Sequence, residues 1–130
     1  MVLLFALKFF ILFSIFPLWG NFDQMLQEAN ASYQQGETTS IFQERKQAFN
    51  RALYLYTLID RDTGFQTPAL QQAIADTYFQ LGEYAWAILY YQRALKTDSQ
   101  NSVLLSHLEK AQQKLGLSIE SSASNIDPLI

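Results

Sequence analysis

The sequence predicts an all-α protein: a short α-solenoid of antiparallel helix pairs, about two and a half repeats long, preceded by an N-terminal apolar helix. Three observations carry that prediction. The first 20 residues are almost wholly apolar, with Lys8 as their single charge. Beyond them, apolar side chains return every three or four residues, the spacing that gathers them on one face of a helix. Glycines follow three such stretches, at Gly36, Gly82 and Gly116, and the last two stand 34 residues apart, the period of a two-helix repeat.

Composition narrows the classes of function. The 130 residues are 49% hydrophobic and 16% charged, with a net charge of −3. A broad nucleic-acid surface needs clustered cations, so no nucleic-acid partner is expected. Cysteine is absent, which removes disulfides, thiolate metal sites, cysteine nucleophiles and lipid-bearing cysteines. His107 is the lone histidine; it cannot build a multi-histidine metal cluster and reads as a solvated side chain. Asp60 and Asp62 lack the further oxygen ligands of a calcium loop. With no paired acid and base, nucleophile or phosphate loop in view, the chain reads as a non-enzyme, with no catalytic, cofactor or metal residue to name.

The leader comes first in the chain. Near the middle of a membrane-spanning helix Lys8 would cost about 2.5–3.5 kcal/mol. As the end of a basic leader it precedes an 11-residue apolar core, Phe9 to Trp19, of the length found in signal peptides. Pro17 and Gly20 suit the end of such a segment, although Leu18 stands where a small residue is preferred. A cleaved signal peptide, an uncleaved signal anchor and a buried apolar helix of the domain are the three readings. The first two export the remaining chain, leaving it periplasmic or anchored to the inner membrane, with membrane contact confined to residues 1–20. Cleavage would start the mature protein near Asn21.

The body, residues 21–116, reads as five helices near 23–35, 40–60, 68–81, 84–97 and 102–115. Met25, Leu26, Ala29 and Tyr33 share a face of the first. The second is long, with Phe42, Phe49, Ala52, Leu53, Tyr56 and Ile59 as its apolar stripe. Thr67 followed by Pro68 is a strong start signal for the third, where Leu70, Ile74, Ala75, Tyr78 and Leu81 fall on one side. After Gly82, expected to end that helix in a left-handed conformation, Tyr84, Ala87, Ile88, Tyr91, Ala94 and Leu95 repeat the pattern. Asn101 caps a last helix with a narrow stripe of Leu104, Leu108, Ala111 and Leu115, as suits the closing helix of a solenoid. Residues 117–130, with four serines and Pro128, show no period and are expected to be a disordered tail.

Residues 68–101 resemble a tetratricopeptide repeat. Gln71, Ile74, Ala75 and Tyr78 occupy the first-helix consensus set, and Ala87, Tyr91 and Ala94 the second. The departures are Gln71 for the usual Trp, Ala75 for Gly and Ser99 for Pro. The run from the apolar leader through Ala29-Asn-Ala-Ser-Tyr-Gln-Gln-Gly-Glu37 to Phe79-Gln-Leu-Gly-Glu-Tyr-Ala-Trp-Ala-Ile-Leu-Tyr-Tyr-Gln-Arg-Ala-Leu95 is similar to the exported BatE-type component of Bacteroides aerotolerance (Bat) operons. That resemblance implies an envelope complex with von Willebrand A-type partners, tied to stress or oxygen tolerance, and carries over no catalytic residue.

What the repeat implies for function is a concave groove lined by the first helix of each pair, holding a partner segment. By helical phase its candidates are Leu26, Asn30, Tyr33 and Gln34, then Gln72, Asp76, Phe79 and Gln80, then Ser106, Lys110, Gln113 and Lys114. Tyr33 and Phe79 are the preferred apolar anchors, with core packing as their other reading. Ala75, Tyr78, Gly82, Ala87, Tyr91 and Ala94 are assigned to packing between repeats. The set lacks the basic cluster that would clamp a C-terminal carboxylate. Trp86 with Tyr90 lies off the inner stripe, either as an interaction or membrane-surface patch or packed on the long helix or the leader. The leading expectation is therefore an exported adapter that holds a protein partner at the cell envelope. A secretion chaperone gripping a client segment in the same groove is the alternative.

Overall fold

The computed structural model describes residues 21–64 and 66–124, and every regular element among them is an α-helix. Helix α1 occupies 21–38, followed by α2 (Phe42–Thr63), α3 (Pro68–Gln80), α4 (Tyr84–Thr97) and α5 (Ser102–Ser124). The expectations for residues 1–20 and for 125–130 fall outside the described residues. No described helix is long and apolar enough to cross a membrane.

Local chemistry sets the helix ends. The Thr67 hydroxyl accepts from the Leu70 amide at 3.2 Å, with Pro68 in the first turn of α3, a position where the missing amide is no loss. That helix ends at Gly82, whose φ of 77° is open to glycine and disfavoured for residues with a Cβ. The Glu83 amide then donates to the Tyr78 carbonyl and the Gly82 amide to that of Phe79, the paired bonds of a Schellman turn. At α5 the Asn101 Oδ1 accepts from the amides of Val103 and Leu104.

Two of the three glycines that follow apolar stretches do not end a helix. Gly36 and Gly116 lie inside α1 and α5, and among the described residues only Gly64 and Gly82 have positive φ. Gly36 is a contact point instead: a Cβ there would stand 2.7 Å from the Phe49 ring. The bare backbone lets Phe49, 1% exposed, fill the space beside α1. Among the described residues nothing stands within 4 Å of a Cβ placed at Gly116, and α5 simply continues through it to Ser124, so 117–124 is helical where an aperiodic tail was expected.

The helices run alternately up and down. Between α1 and α2, Tyr33 meets Phe49 edge to face at 5.3 Å, and further back Asn30 accepts from the Tyr56 hydroxyl at 2.6 Å. Between α3 and α4, Phe79 meets Tyr84 while Asp76 meets Tyr91. In both pairs residue numbers fall on one helix as they rise on the other, which is antiparallel packing. Between α3 and α5 the numbers rise together: Asp76 lies against His107, and Phe79 under Lys110. The alternate helices are parallel.

Two apolar clusters form the core. Ala29, Ala52, Leu55, Tyr56, Ile59, Leu70 and Ile74 join α1, α2 and α3. Ala75, Ala87, Tyr91, Ala94, Leu104 and Ala111 join α3, α4 and α5. Tyr78 and Tyr90 touch both. Alanines at full burial let backbones approach closely while the tyrosines fill the gaps beside them. The long α2 overhangs its neighbours at its N-terminal end, so Phe42, assigned to the apolar stripe by spacing, is 68% exposed.

Candidate functional site

The parallel helices α1, α3 and α5 present one face each to a common concavity. On α1 that face carries Phe22, Leu26, Asn30, Tyr33 and Glu37; on α3 it carries Ala69, Ala73, Asp76 and Gln80. Steps of three and four residues keep each series on one line of its helix. The concavity deepens into two hollows set end to end along these lines.

The upper hollow has a volume of about 350 Å³ and is lined by Tyr33, Glu37, Asp76, Phe79, Gln80, Tyr91, His107 and Lys110. Asp76 is its centre. One carboxylate oxygen, Oδ1, accepts from the Tyr91 hydroxyl and faces His107 Nδ1 at 3.0 Å. A carboxylate oxygen only accepts, so Nδ1 carries the hydrogen in this contact. The His107 ring also meets the Tyr91 ring edge to face, centroids 5.8 Å apart. Burial, and then the Asp76 carboxylate beside it, push the Tyr91 phenol far above its ordinary range. Burial raises Tyr33 as well, tempered by a hydrogen bond from the Gln80 side chain. Lys110 Nζ stands 5.7 Å above the Phe79 ring, a cation–π contact.

The lower hollow, about 440 Å³, is more apolar. Phe22, Leu26, Tyr56, Ile59, Ala69, Leu70 and Ala73 make most of it, with Asp23, Asn30 and Thr67 at its margins. Phe22 and Leu26 are 38% and 40% exposed.

Of the sequence-assigned groove residues, Tyr33, Asp76, Phe79, Gln80 and Lys110 meet in the upper hollow, and Asn30 with Leu26 lines the lower one. Gln34, Gln72, Ser106, Gln113 and Lys114 line neither. Gln34 follows Tyr33 by about 100° of helix rotation, and with Tyr33 turned inward it is left exposed. Gln72 is one turn below Asp76 and Lys114 one turn above Lys110.

Sequence reasoning missed Glu37, Tyr91 and His107. Tyr91, assigned to packing, is 1% exposed, yet its hydroxyl reaches the groove at Asp76. His107, taken for a solvated side chain, is half-buried and joins Asp76. The other packing residues sit at helix contacts: Ala75, Ala87 and Ala94 at 0% exposure, Tyr78 between the two clusters, and Gly82 at the turn. Among the described residues no three His, Asp or Glu side chains gather closely enough to hold a metal ion.

Trp86 and Tyr90 are part exposed and part packed. Trp86 is 52% exposed and stacks on Tyr78 at 6.0 Å. Tyr90 also meets Tyr78, at 5.7 Å, and packs against the core cluster that contains α2. The Arg93 guanidinium covers Tyr90 at 4.8 Å.

No protein-family model matches the chain, and no curated protein matches it.

Proposed function

We propose that this chain is an exported, non-catalytic adapter of the tetratricopeptide type, a short α-solenoid that holds a segment of a protein partner in the groove along α1, α3 and α5. The observation that carries the reading is the lining of one concavity by three parallel helices. It brings Tyr33, Asp76, Phe79, Gln80 and Lys110 together from segments up to 77 residues apart in the chain. Such a surface offers half-buried aromatic rings ringed by polar groups, the composition of an interface centre and its rim. The chemistry gathered there suits recognition: Asp76 accepts from the buried Tyr91 phenol and faces His107, with the Tyr33 and Phe79 rings beside them.

Export rests on the sequence of residues 1–20, and the Bat-type envelope setting on the resemblance of residues 1–116. The test is crosslinking of the full-length chain in its native envelope, followed by identification of what it captures. Phe79→Ala with Lys110→Ala should reduce recovery of the captured protein severalfold while the melting temperature shows a folded domain. Tyr33 is left in place because it also supports Phe49. Unchanged recovery from the double variant would remove the groove from the account.

A further inference from the structure

The two hollows differ in chemistry, and the difference points to one kind of occupant. The charged side chains lining them are Asp23, Glu37 and Asp76 against Lys110, with His107 bonded to Asp76. The groove is therefore acidic along α1 and α3. Lys110 stands on the α5 side, over the Phe79 ring. At the other end the wall is Phe22, Leu26, Ala69, Leu70 and Ala73.

We infer that the groove takes an extended, basic peptide segment, with apolar side chains seated in the lower hollow and an arginine or lysine held by Asp76 and Glu37 in the upper one. The inference rests on the reading of this groove as a polypeptide site and names the chemistry of the segment. Asp76 is built for the role. Its Oδ1 is engaged by Tyr91 and His107, which fix the carboxylate in place. Its Oδ2 has no donor among the described residues, and Asp76 lines a hollow where a guanidinium or ammonium can supply one. Charge-assisted bonds to a carboxylate held in position are the stronger kind. Glu37, exposed one turn above Tyr33, adds a second acceptor at the same end.

Spacing sets the segment's pattern. From Leu26 to Tyr33 and Glu37 is seven to eleven residues of one helix, about 11–16 Å at 1.5 Å per residue. An extended chain covers that distance in about three to five residues. Hollows of about 440 and 350 Å³ hold a few side chains each, whereas a helix with its side chains is about 10–12 Å across. The occupant is thus a strand-like segment with apolar residues followed, three to five positions along, by a cation.

The probe is a fluorescein-labelled, C-terminally amidated hexapeptide, Leu-Leu-Ser-Gly-Arg-Arg, titrated with the full-length chain in mild detergent and read by fluorescence anisotropy. Replacing both arginines by glutamate should weaken binding about tenfold or more, since like charges facing across an interface are strongly disfavoured. Replacing both leucines by serine should weaken it as well. Asp76→Asn with Glu37→Gln, near-isosteric changes checked for folding by circular dichroism, should abolish the preference for arginine over glutamate. Equal or tighter binding of the glutamate peptide, or no binding of either peptide, overturns the inference. If Phe79→Ala still weakens whichever peptide binds, the groove remains a polypeptide site and only its basic preference is lost. Binding indifferent to both the acidic pair and Phe79 overturns both readings.

Discussion

Tyr56 shows how one side chain can tie the core to the groove. Its ring is 3% exposed within the first apolar cluster, and its hydroxyl donates to Asn30 at the groove margin. Burial, and then the neighbouring Tyr33 and Asp76, push its phenol up to about 12 from an ordinary 10. Below pH 10 the phenol is protonated in folded and unfolded chains alike, and its contribution to stability is fully present. Between 10 and 12 the unfolded chain ionises first, so stability falls as pH rises, by roughly 2–3 kcal/mol across that window. Tyr33, Tyr78 and Tyr91 are shifted in the same direction, so Tyr56→Phe isolates the effect. Urea midpoints measured from pH 8.5 to 11.5 should fall less steeply in Tyr56→Phe than in the parent chain. Equal slopes would place the Tyr56 hydroxyl in water. The Asp76–His107 contact is a different lesson in legibility. On its own helix His107 has polar neighbours and looks solvated; its partner lies 31 residues earlier, and no local pattern announces a pairing between two parallel helices.

Helices are where the sequence speaks most directly, and α3 and α4 are the clearest. Thr67-Pro68 starts one, Gly82 ends it, and Ala75, Ala87 and Ala94 mark the close contacts, because start signals, left-handed ends and apolar spacing all act within a few residues. Gly36 and Gly116 are less legible for a physical reason. A glycine after an apolar run can end a helix, admit a neighbour's ring or simply be tolerated, and only the fold decides which. These two glycines should therefore answer differently to substitution. Gly116→Ala adds a good helix former where no described residue stands within 4 Å and should raise stability by about 0.5–1 kcal/mol. Gly36→Ala drives a methyl against the buried Phe49 ring and should cost about 1–3 kcal/mol, the range for overfilling a packed site. Chemical denaturation of the two variants beside the parent decides it; a stabilising Gly36→Ala would contradict the packing of α1 on α2. The expected burial of Phe42 on α2 foundered on the same limit. Phe42 has the spacing of a core residue, but the helix outruns its partners and leaves that turn uncovered.

At the scale of the whole molecule, each helix buries its apolar stripe chiefly on its sequence neighbours, and Tyr78 and Tyr90 join the two resulting clusters. This near-neighbour packing is why the all-helical architecture could be read from the sequence. The groove is a second-neighbour property, made by α1 with α3 and α3 with α5, and helical phase predicts it only as well as the crossing angles allow. Phase places Asp76, Phe79 and Gln80 on the lining face; it does not foresee that Tyr91 reaches in from α4 or that Gln72 falls beside the hollow. The adapter reading stands or falls on whether this concavity is the face that meets another polypeptide. The most direct measurement is site-specific photocrosslinking in living cells, with a benzophenone amino acid at Gln80, exposed within the groove, or at Tyr54, 65% exposed on α2 and outside both hollows. The account predicts a discrete crosslinked protein band from Gln80 that is absent from Tyr54. A band from Tyr54 with none from Gln80 would contradict it.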